Sequence, residues 1–340
     1  MKNRKITNRD IAAAAGVSPT AVSFAMNGKE GISDSTRRLI LETAKKLGYA
    51  EVPGRRALNI ALLFRTGLNE FDQLFYSEMN TSLIAACRTL PYNLIMASVY
   101  HDGEEIRFSD VLRSGRTDGL LVFGDPDPEM LGAINALGLP FVILDSSRRS
   151  SNCSAVYVDY KEAAYMAACY LIDHGHRDIA YIGNNSVSVQ DFTLLTFRGF
   201  QKATESRNIA LSTNRIQLDI NDEDTLRLAI DRALGGAARP TALFMCADYY
   251  AVHAIRYLHT KGIRVPEDIS VISIDDIIIS RFLTPSLTTV RINQGEIVRS
   301  GINLLVKQIS GAPLESVMID QFEIMERESV RASHASTPNG

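Results

Sequence analysis

Cysteine is scarce in this chain: four in 340 residues, Cys87, Cys153, Cys169 and Cys246, far apart and with no Cys-x-x-Cys among them. That spacing excludes a disulfide framework and a zinc ribbon and leaves the four as reduced packing residues. No run of about 18 apolar residues is present to span a bilayer. The opening MKNRKITNRD is charged and leads into no apolar secretory core. The expectation is a soluble, cytoplasmic protein with no membrane partner. Gly-x-Gly-x-x-Gly, the P-loop, Gly-x-Ser-x-Gly and His-Glu-x-x-His are all missing, so no enzyme, cofactor or metal is expected. Asp275-Asp276 is a carboxylate pair, but neighbours at a strand end point to opposite sides, so one of the two acts on a ligand rather than both together. His174 and His176 flank Gly175 at a helix end and read as capping and turn residues.

What is present is a chain able to bury a sizeable core, with 46% hydrophobic residues and a length that suggests two or three domains. The formal net charge of −3 hides a division. Residues 1–56 carry eleven Lys and Arg against five Asp and Glu, which leaves about −9 for the remainder. A small basic domain on an acidic body is the electrostatic pattern of a nucleic-acid reader joined to something else, although charge alone also fits a merely solvated basic terminus.

The stretch TNRDIAAAAGVSPTAVSFAMNG, Thr7 to Gly28, decides between them. Thr7 with Asp10 forms an approximate capping box, and Ile11, Ala14 and Ala15 supply an apolar stripe that Gly16 ends. Ser18 caps a second helix, Pro19 suits its first position, and Val22, Ala25 and Met26 form its buried side. A third helix starts at Ser33, carries Ile40, Ala44 and Leu47 at helical spacing and stops at Gly48. Three helices in about fifty residues with a tight turn between the first two make a helix-turn-helix unit, whose second helix enters the DNA major groove.

Beyond the head the chain reads α/β. Apolar strand segments at 59–64, 93–99, 118–123 and 140–144 alternate with helical stretches. The rhythm restarts with strands near 155–158, 178–182, 215–220, 241–245 and 269–274 and helices such as 161–173 and 248–261. Such alternation implies parallel sheets covered by helices, and two series imply two lobes with a ligand cleft at the carboxyl ends of the strands.

DIAAAAGVSPTAVSFAMNG followed by ISDSTRRLILETAKKLGY closely resembles the DNA-binding head of the lactose-repressor (LacI/GalR) family of bacterial transcription regulators. TDGLLVF, LPFVILD, HGHRDIAYIG, VPEDISVISIDD, LTPSLTTVR and ERESV resemble that family's later segments in order, so the resemblance covers nearly the whole chain. It implies a core similar to periplasmic sugar-binding proteins, crossing between lobes near residues 160, 291 and 320. It also implies operator DNA and a small-molecule effector, such as a carbohydrate, as partners, with no cofactor.

By the same resemblance, ligand contacts come from a loop after the first strand, FDQLFYS, with Phe71, Gln73 and Phe75, from Asp145, from Asp248 and Asp275, and from Phe282. Three positions depart from the family pattern. Thr196 stands where an Arg is common before Gly199-Phe200, Ala247 where an Asn precedes Asp248, and Ile292 where a polar residue follows TTVR. Losing those groups removes directed hydrogen bonds worth roughly 0.5 to 1.5 kcal/mol each and leaves a pocket less polar than a sugar site. Arg198 replaces the missing Arg only if the local register shifts. The alternative is a cleft that has lost its small-molecule function.

On the DNA side, the resemblance assigns base reading to Pro19, Thr20 and Phe24, and phosphate contacts to Ser23, Asn27 and Arg37. Arg is common at the Phe24 place, and Phe offers only apolar contact, for example to a thymine methyl; alternatively its ring is tucked into the helix packing. Thr7, Asn8 and Arg9 sit where backbone N–H groups favour an anion. Only AEVPGRRAL follows Leu47-Gly48-Tyr49, too short for the family's hinge helix. Leu58 resembles the wedge residue, whereas Arg55 and Arg56 suit phosphate.

The reading is thus an α/β chain with a three-helix helix-turn-helix head at 1–58, linker included, and a two-lobed periplasmic-binding-protein-like core at 59–340. Lobe 1 takes about 59–159 and 292–319, lobe 2 about 160–291 and 320–332, and 333–340 is a tail. The function expected is a sequence-specific regulator, a repressor, acting as a homodimer through Leu83, Ile84 and Ile277 to Phe282; no heptad tail follows Val330, so no tetramer is expected. A solute-binding protein of the same fold is the alternative.

Overall fold

The computed structural model describes residues 7–26, 31–47, 58–65, 70–89, 92–102, 105–114, 116–147, 152–184, 190–236 and 238–333. It divides into two compact units: Met1–Asn59 with Cys87–Asn93, and Ile60–Ala86 with Leu94–Gly340.

In the first unit, α1 (Asn8–Ala15), α2 (Pro19–Met26) and α3 (Asp34–Lys46) each begin where a side chain satisfies the free amides of a first turn. Thr7 Oγ1 accepts from the Asp10 amide, and the Asp10 carboxylate takes the Thr7 amide at 2.8 Å. Ser18 Oγ accepts from Ala21 N–H at 3.1 Å, and Ser33 Oγ from Thr36 N–H at 3.2 Å. Gly16 ends α1 at φ 67°, a left-handed geometry that costs glycine nothing. The core is Ile11, Ala12, Val22, Ala25, Met26, Ile40 and Ala44. Ala12 rather than Ala14 faces inward, and Leu47 is largely exposed, so both differ from the expected stripe. Complete burial of Ile11, Val22 and Ile40 supplies about 1.5 to 3 kcal/mol each.

The second unit runs β1 (Leu58–Arg65), α4 (Glu70–Thr89), β2 (Tyr92–Asp102), β3 (Glu105–Phe108), α5 (Asp110–Arg113), β4 (Gly119–Phe123), α6 (Pro128–Ala136), β5 (Phe141–Ser146) and β6 (Ser154–Val158). It continues with α7 (Tyr160–Asp173), β7 (Ile179–Ile182), α8 (Gln190–Ser206), β8 (Ile216–Gln217), α9 (Glu223–Leu234), β9 (Ala242–Met245), α10 (Asp248–Thr260), β10 (Ser270–Asp275) and β11 (Thr288–Arg291). It closes with α11 (Gln294–Ile309), β12 (Ser316–Ile319) and β13 (Glu323–Met325). FDQLFYS lies in the first turns of α4 rather than in a loop.

One sheet has the order β12-β6-β5-β4-β1-β2-β3, the other β13-β11-β10-β9-β7-β8. The ladders joining β1, β4, β5, β6 and β12, and those joining β8, β7, β9, β10 and β11, are parallel. Two antiparallel edge strands, β3 against β2 and β13 against β11, were not legible from the alternation. The central strands read as continuous apolar runs because helices cover both faces of a parallel sheet.

The chain crosses between sheets through α7, then from β11 into α11, then from β12 to β13. Glycines let the first two crossings pack closely. A Cβ on Gly199 would collide with the Lys161 carbonyl, so glycine lets α8 lie against α7; a Cβ on Gly301 would strike Leu144, which lets α11 lie on β5. No helix among the described residues is long and apolar enough to cross a membrane.

Candidate functional site

Two surfaces carry the residues singled out from the sequence. In the three-helix unit, Pro19 and Thr20 are exposed at the start of α2, while Ser23 and Phe24 are half-buried. The Phe24 ring lies against Gly31, whose hypothetical Cβ would sit 2.9 Å from Cε2. Of the two sequence readings of Phe24, this packing supports the tucked one. Arg37 Nη1 donates to the carbonyls of Phe24 at 3.1 Å and Ala25 at 3.3 Å. A cation there meets the partial negative charge of the last carbonyls of α2. Thr7 and Arg9 are exposed and Asn8 half-buried at the start of α1. Asn27, Arg55 and Arg56 lie outside the described residues.

In the second unit, carboxyl groups and aromatic rings gather at the carboxyl ends of the parallel strands. Asp145, at the end of β5, accepts the Tyr160 hydroxyl at 2.5 Å. Tyr160 opens α7 and meets Phe192 of α8 edge to face, with ring centroids 4.4 Å apart. Tyr76 of α4 stacks on Phe123, the last residue of β4, at 4.9 Å. Phe75 is buried behind Tyr76 at 5.5 Å. Phe71 and Gln73 lie on α4 with side chains outside the described residues.

Asp275 ends β10 with φ 126°, and Asp276 follows with φ 56°. Two successive non-glycine residues at positive φ are strained, and such strain is found where a site fixes geometry. The two carboxylates part company, as expected of neighbours at a strand end. Asp276 is clamped by Arg291 Nε at 2.8 Å and by Arg327 Nη2. Asp275 accepts the Asp248 amide at 3.4 Å. Burial raises the Asp275 carboxyl well above its usual range, and the charges of Asp248, Asp145 and Glu78 raise it further. Tyr160 is raised in the same way, first by burial, then by Asp145 and Asp275. These groups therefore share one electrostatic neighbourhood. Glu78 of α4 accepts the Ile278 amide and bridges the elements of the two sheets.

Four expectations are corrected. Asp248 is completely buried, and its carboxylate accepts from Ser273, from Thr289 at 2.6 Å, from Ser280 at 2.6 Å and from Ile277 N–H at 3.0 Å. Both oxygens are consumed, so it staples α10 to β10, β11 and the turn after β10 instead of meeting a ligand. Thr196 is also completely buried, its hydroxyl bonded to Tyr181 at 2.7 Å and to the Thr193 carbonyl at 3.0 Å. Arg198 is exposed two positions on, about 200° around α8, and does not stand in for an Arg at 196. Phe282 is 74% exposed and joins none of the rings of the cluster.

Tyr160, Phe123, Phe192 and Glu78 were missed, while Tyr76 lay within FDQLFYS but was not singled out. Of those missed, Tyr160 had a signal: it directly follows the strand VYVD, where strand ends of open α/β sheets hold ligands. His174 does close α7, its Nδ1 bonded to the Tyr170 carbonyl at 2.8 Å, and His176 is buried between Thr241 and the Arg331 carbonyl. Among the described residues no group of three or more His, Cys, Asp or Glu is arranged to hold a metal.

Comparison with known proteins bears on both surfaces. Residues 7–51 match the family described as bacterial regulatory proteins, lacI family, and residues 168–330 match the periplasmic binding protein-like domain. The HTH-type transcriptional repressor PurR of Histophilus somni (strain 129Pt) is 30% identical over 333 residues, covering 96% of this chain and 99% of the relative. The ribose operon repressor of Haemophilus influenzae is 30% identical over 307 residues, covering 89% and 92%. Among solved structures, a complex of the transcriptional regulator CelR with cellobiose superposes with a TM-score of 0.66 at 25% identity, covering 96% of this chain and all of that one.

Proposed function

The chain belongs to the lacI family of bacterial regulatory proteins and is a DNA-binding transcriptional regulator, and on that premise we propose that it is a repressor whose effector binds at the Asp145–Tyr160–Asp275 cluster. The observation that carries this reading is the cluster itself: two carboxyls and four aromatic rings from α4, β4, β5, α7, α8 and β10, gathered at the carboxyl ends of parallel strands. Rings that stack and carboxyls that accept hydrogen bonds suit a hydroxylated ring, and CelR was solved with cellobiose. A less polar ring also fits, because Thr196 supplies no directed group.

In this reading Pro19, Thr20 and Ser23 meet bases and backbone in the major groove, while Thr7, Asn8 and Arg9 sit near phosphate. Asn27, Arg55 and Arg56 are assigned to phosphate on the sequence alone. The protein works on chromosomal DNA in the cytoplasm, without catalysis, as a homodimer. Ile84, Ile278, Ile279 and Phe282 are exposed and available for that interface, whereas Leu83 and Ile277, expected there from the sequence, are buried within the chain. The units proposed are 1–58 for DNA and 59–340 for the effector.

The test is selection of a duplex from a randomised pool by the full-length protein, followed by a screen of sugars and small ring compounds for release or tightening of that duplex. A compound that acts on wild-type protein and not on Tyr160→Phe supports the site. A compound that acts equally on both, or deletion of residues 1–58 without loss of specific DNA binding, overturns the assignment.

A further inference from the structure

We propose that the effector is an organic cation, an amine carried on a ring, with its ammonium paired to Asp275 and its ring held among Tyr160, Phe192 and Tyr76. This rests on the effector-site reading above and adds the ligand's charge to it.

Asp275 is 3% exposed, yet among the described residues its carboxylate accepts only the long bond from the Asp248 amide to Oδ2, and Oδ1 accepts none. A buried carboxylate requires a counter-charge or a proton, because desolvating an unpaired charge is costly. The counter-charge is not supplied by the guanidiniums nearest in the fold. Arg291 and Arg327 are both spent on Asp276, and Arg281 bears on Glu78. The charges acting most strongly on Asp275 are all negative: Asp248 on α10, Asp145 on β5 and Glu78 on α4. The faces of Tyr160, Phe192, Tyr76 and Phe123 carry negative quadrupole density, which attracts a cation further.

A second observation is independent of the carboxyls. Gln294 is 8% exposed, and its Nε2 is fully buried with no hydrogen-bond partner among the described residues. It lies in the turn that attaches to Asp275: Ile292 N–H donates to the Asp275 carbonyl at 3.3 Å, and Gln294 N–H to the Ile292 carbonyl at 2.9 Å. A buried amide left without partners is rare and points to a group the protein itself does not provide. An amine that also bears a hydroxyl or carbonyl oxygen offers an acceptor to the Gln294 amide as well as a cation to Asp275, whereas a hydrocarbon amine offers only the cation.

Binding is expected to release a proton. Burial and the neighbouring carboxyls push the Asp275 carboxyl toward its protonated form, and an ammonium placed against it pushes it toward the charged form. Affinity for the amine therefore falls as pH is lowered.

The experiment uses purified full-length protein and matched compounds: glucosamine, N-acetylglucosamine and glucose; galactosamine and galactose; tyramine and tyrosol. Calorimetry near pH 7.5 is expected to show at least one amine binding about tenfold or more tightly than its neutral counterpart. In buffers of different ionisation enthalpy, the same titration shows proton release. Asp275→Asn removes the preference for the amine. Gln294→Leu weakens binding severalfold while leaving the melting temperature unchanged or higher, an outcome that a merely structural glutamine would not give. If Asp275→Asn fails to fold, proton release by the wild-type protein decides the matter. Neutral members binding as tightly as their amines, with no proton released, overturns the cation and leaves the effector site standing. Silence from every pair overturns both.

Discussion

Arg37, in the first half of α3, donates through Nη1 to the carbonyl of Phe24, 3.1 Å away near the end of α2, and to that of Ala25 beside it. The side chain expected to face phosphate thus also fixes the angle at which α2 is presented. Arg37→Met is expected to lower the stability of the three-helix unit by about 1.5 to 3 kcal/mol, the range for a hydrogen bond to a charged group. It should weaken operator and random DNA alike. Thermal melting and anisotropy titrations over a salt series check this; unchanged stability with a salt slope lower by about 1 would make Arg37 a phosphate contact alone.

The Phe24 ring rests on Gly31, which sits at φ 115°. Phe24→Arg should therefore destabilise the unit rather than redirect it to guanine. Gly31→Ala should cost about 1 to 3 kcal/mol by forcing a side chain into a left-handed geometry and against the ring. Selection from a randomised operator pool with Phe24→Arg is the check. A stable protein with a new guanine preference in each half-site would place the ring in the groove instead.

Asp248 satisfies four donors with no exposure to water. Asp248→Ala strands buried hydroxyls and an amide and should cost at least about 3 kcal/mol. Denaturant midpoints of the full-length protein measure it. A loss of effector binding without loss of stability would return Asp248 to the ligand site.

For Asp275 the pH dependence has a definite sign. Its carboxyl is raised in the folded state by burial first and by neighbouring carboxyls second. As pH rises from the unfolded value of about 3.9, the unfolded chain loses its proton while the folded one keeps it, so the group's contribution to stability declines until pH reaches the folded value. Asp275→Asn, permanently neutral, should melt higher than wild type near neutral pH, and the two should converge toward pH 4. Parallel melting curves at every pH would show that the carboxyl is already paired.

Ile278, Ile279 and Phe282 project from the turn after β10 at 49%, 38% and 74% exposure. Phe282→Asp is expected to shift sedimentation from dimer to monomer at micromolar concentration with little change in melting temperature, since the side chain is 74% exposed. A wild-type monomer in the presence of operator DNA would dispose of the homodimer.

The head was legible in the sequence because its signals act over three or four residues. Thr7 with Asp10, Ser18 before Pro19 and Gly16 at the turn are local chemistry, and they appear where the spacing placed them. The two-lobed sheets followed from alternating apolar strands and helices, because parallel strands buried on both faces must be apolar throughout. Local pattern misjudged Ala14 and Leu47 by a fraction of a turn, since which side of a short helix faces inward is set by its neighbours. The ligand cluster was decided elsewhere. The sequence placed Asp145 and Asp275 at strand ends, but it carried no sign that Tyr160 would donate to Asp145, that Thr196 would be enclosed by Tyr181, or that Arg291 and Arg327 would be drawn to Asp276. Each of those pairings joins residues that only the two sheets and the crossings between them bring together, and a side chain's role at a buried site is fixed by the partners the tertiary structure leaves it.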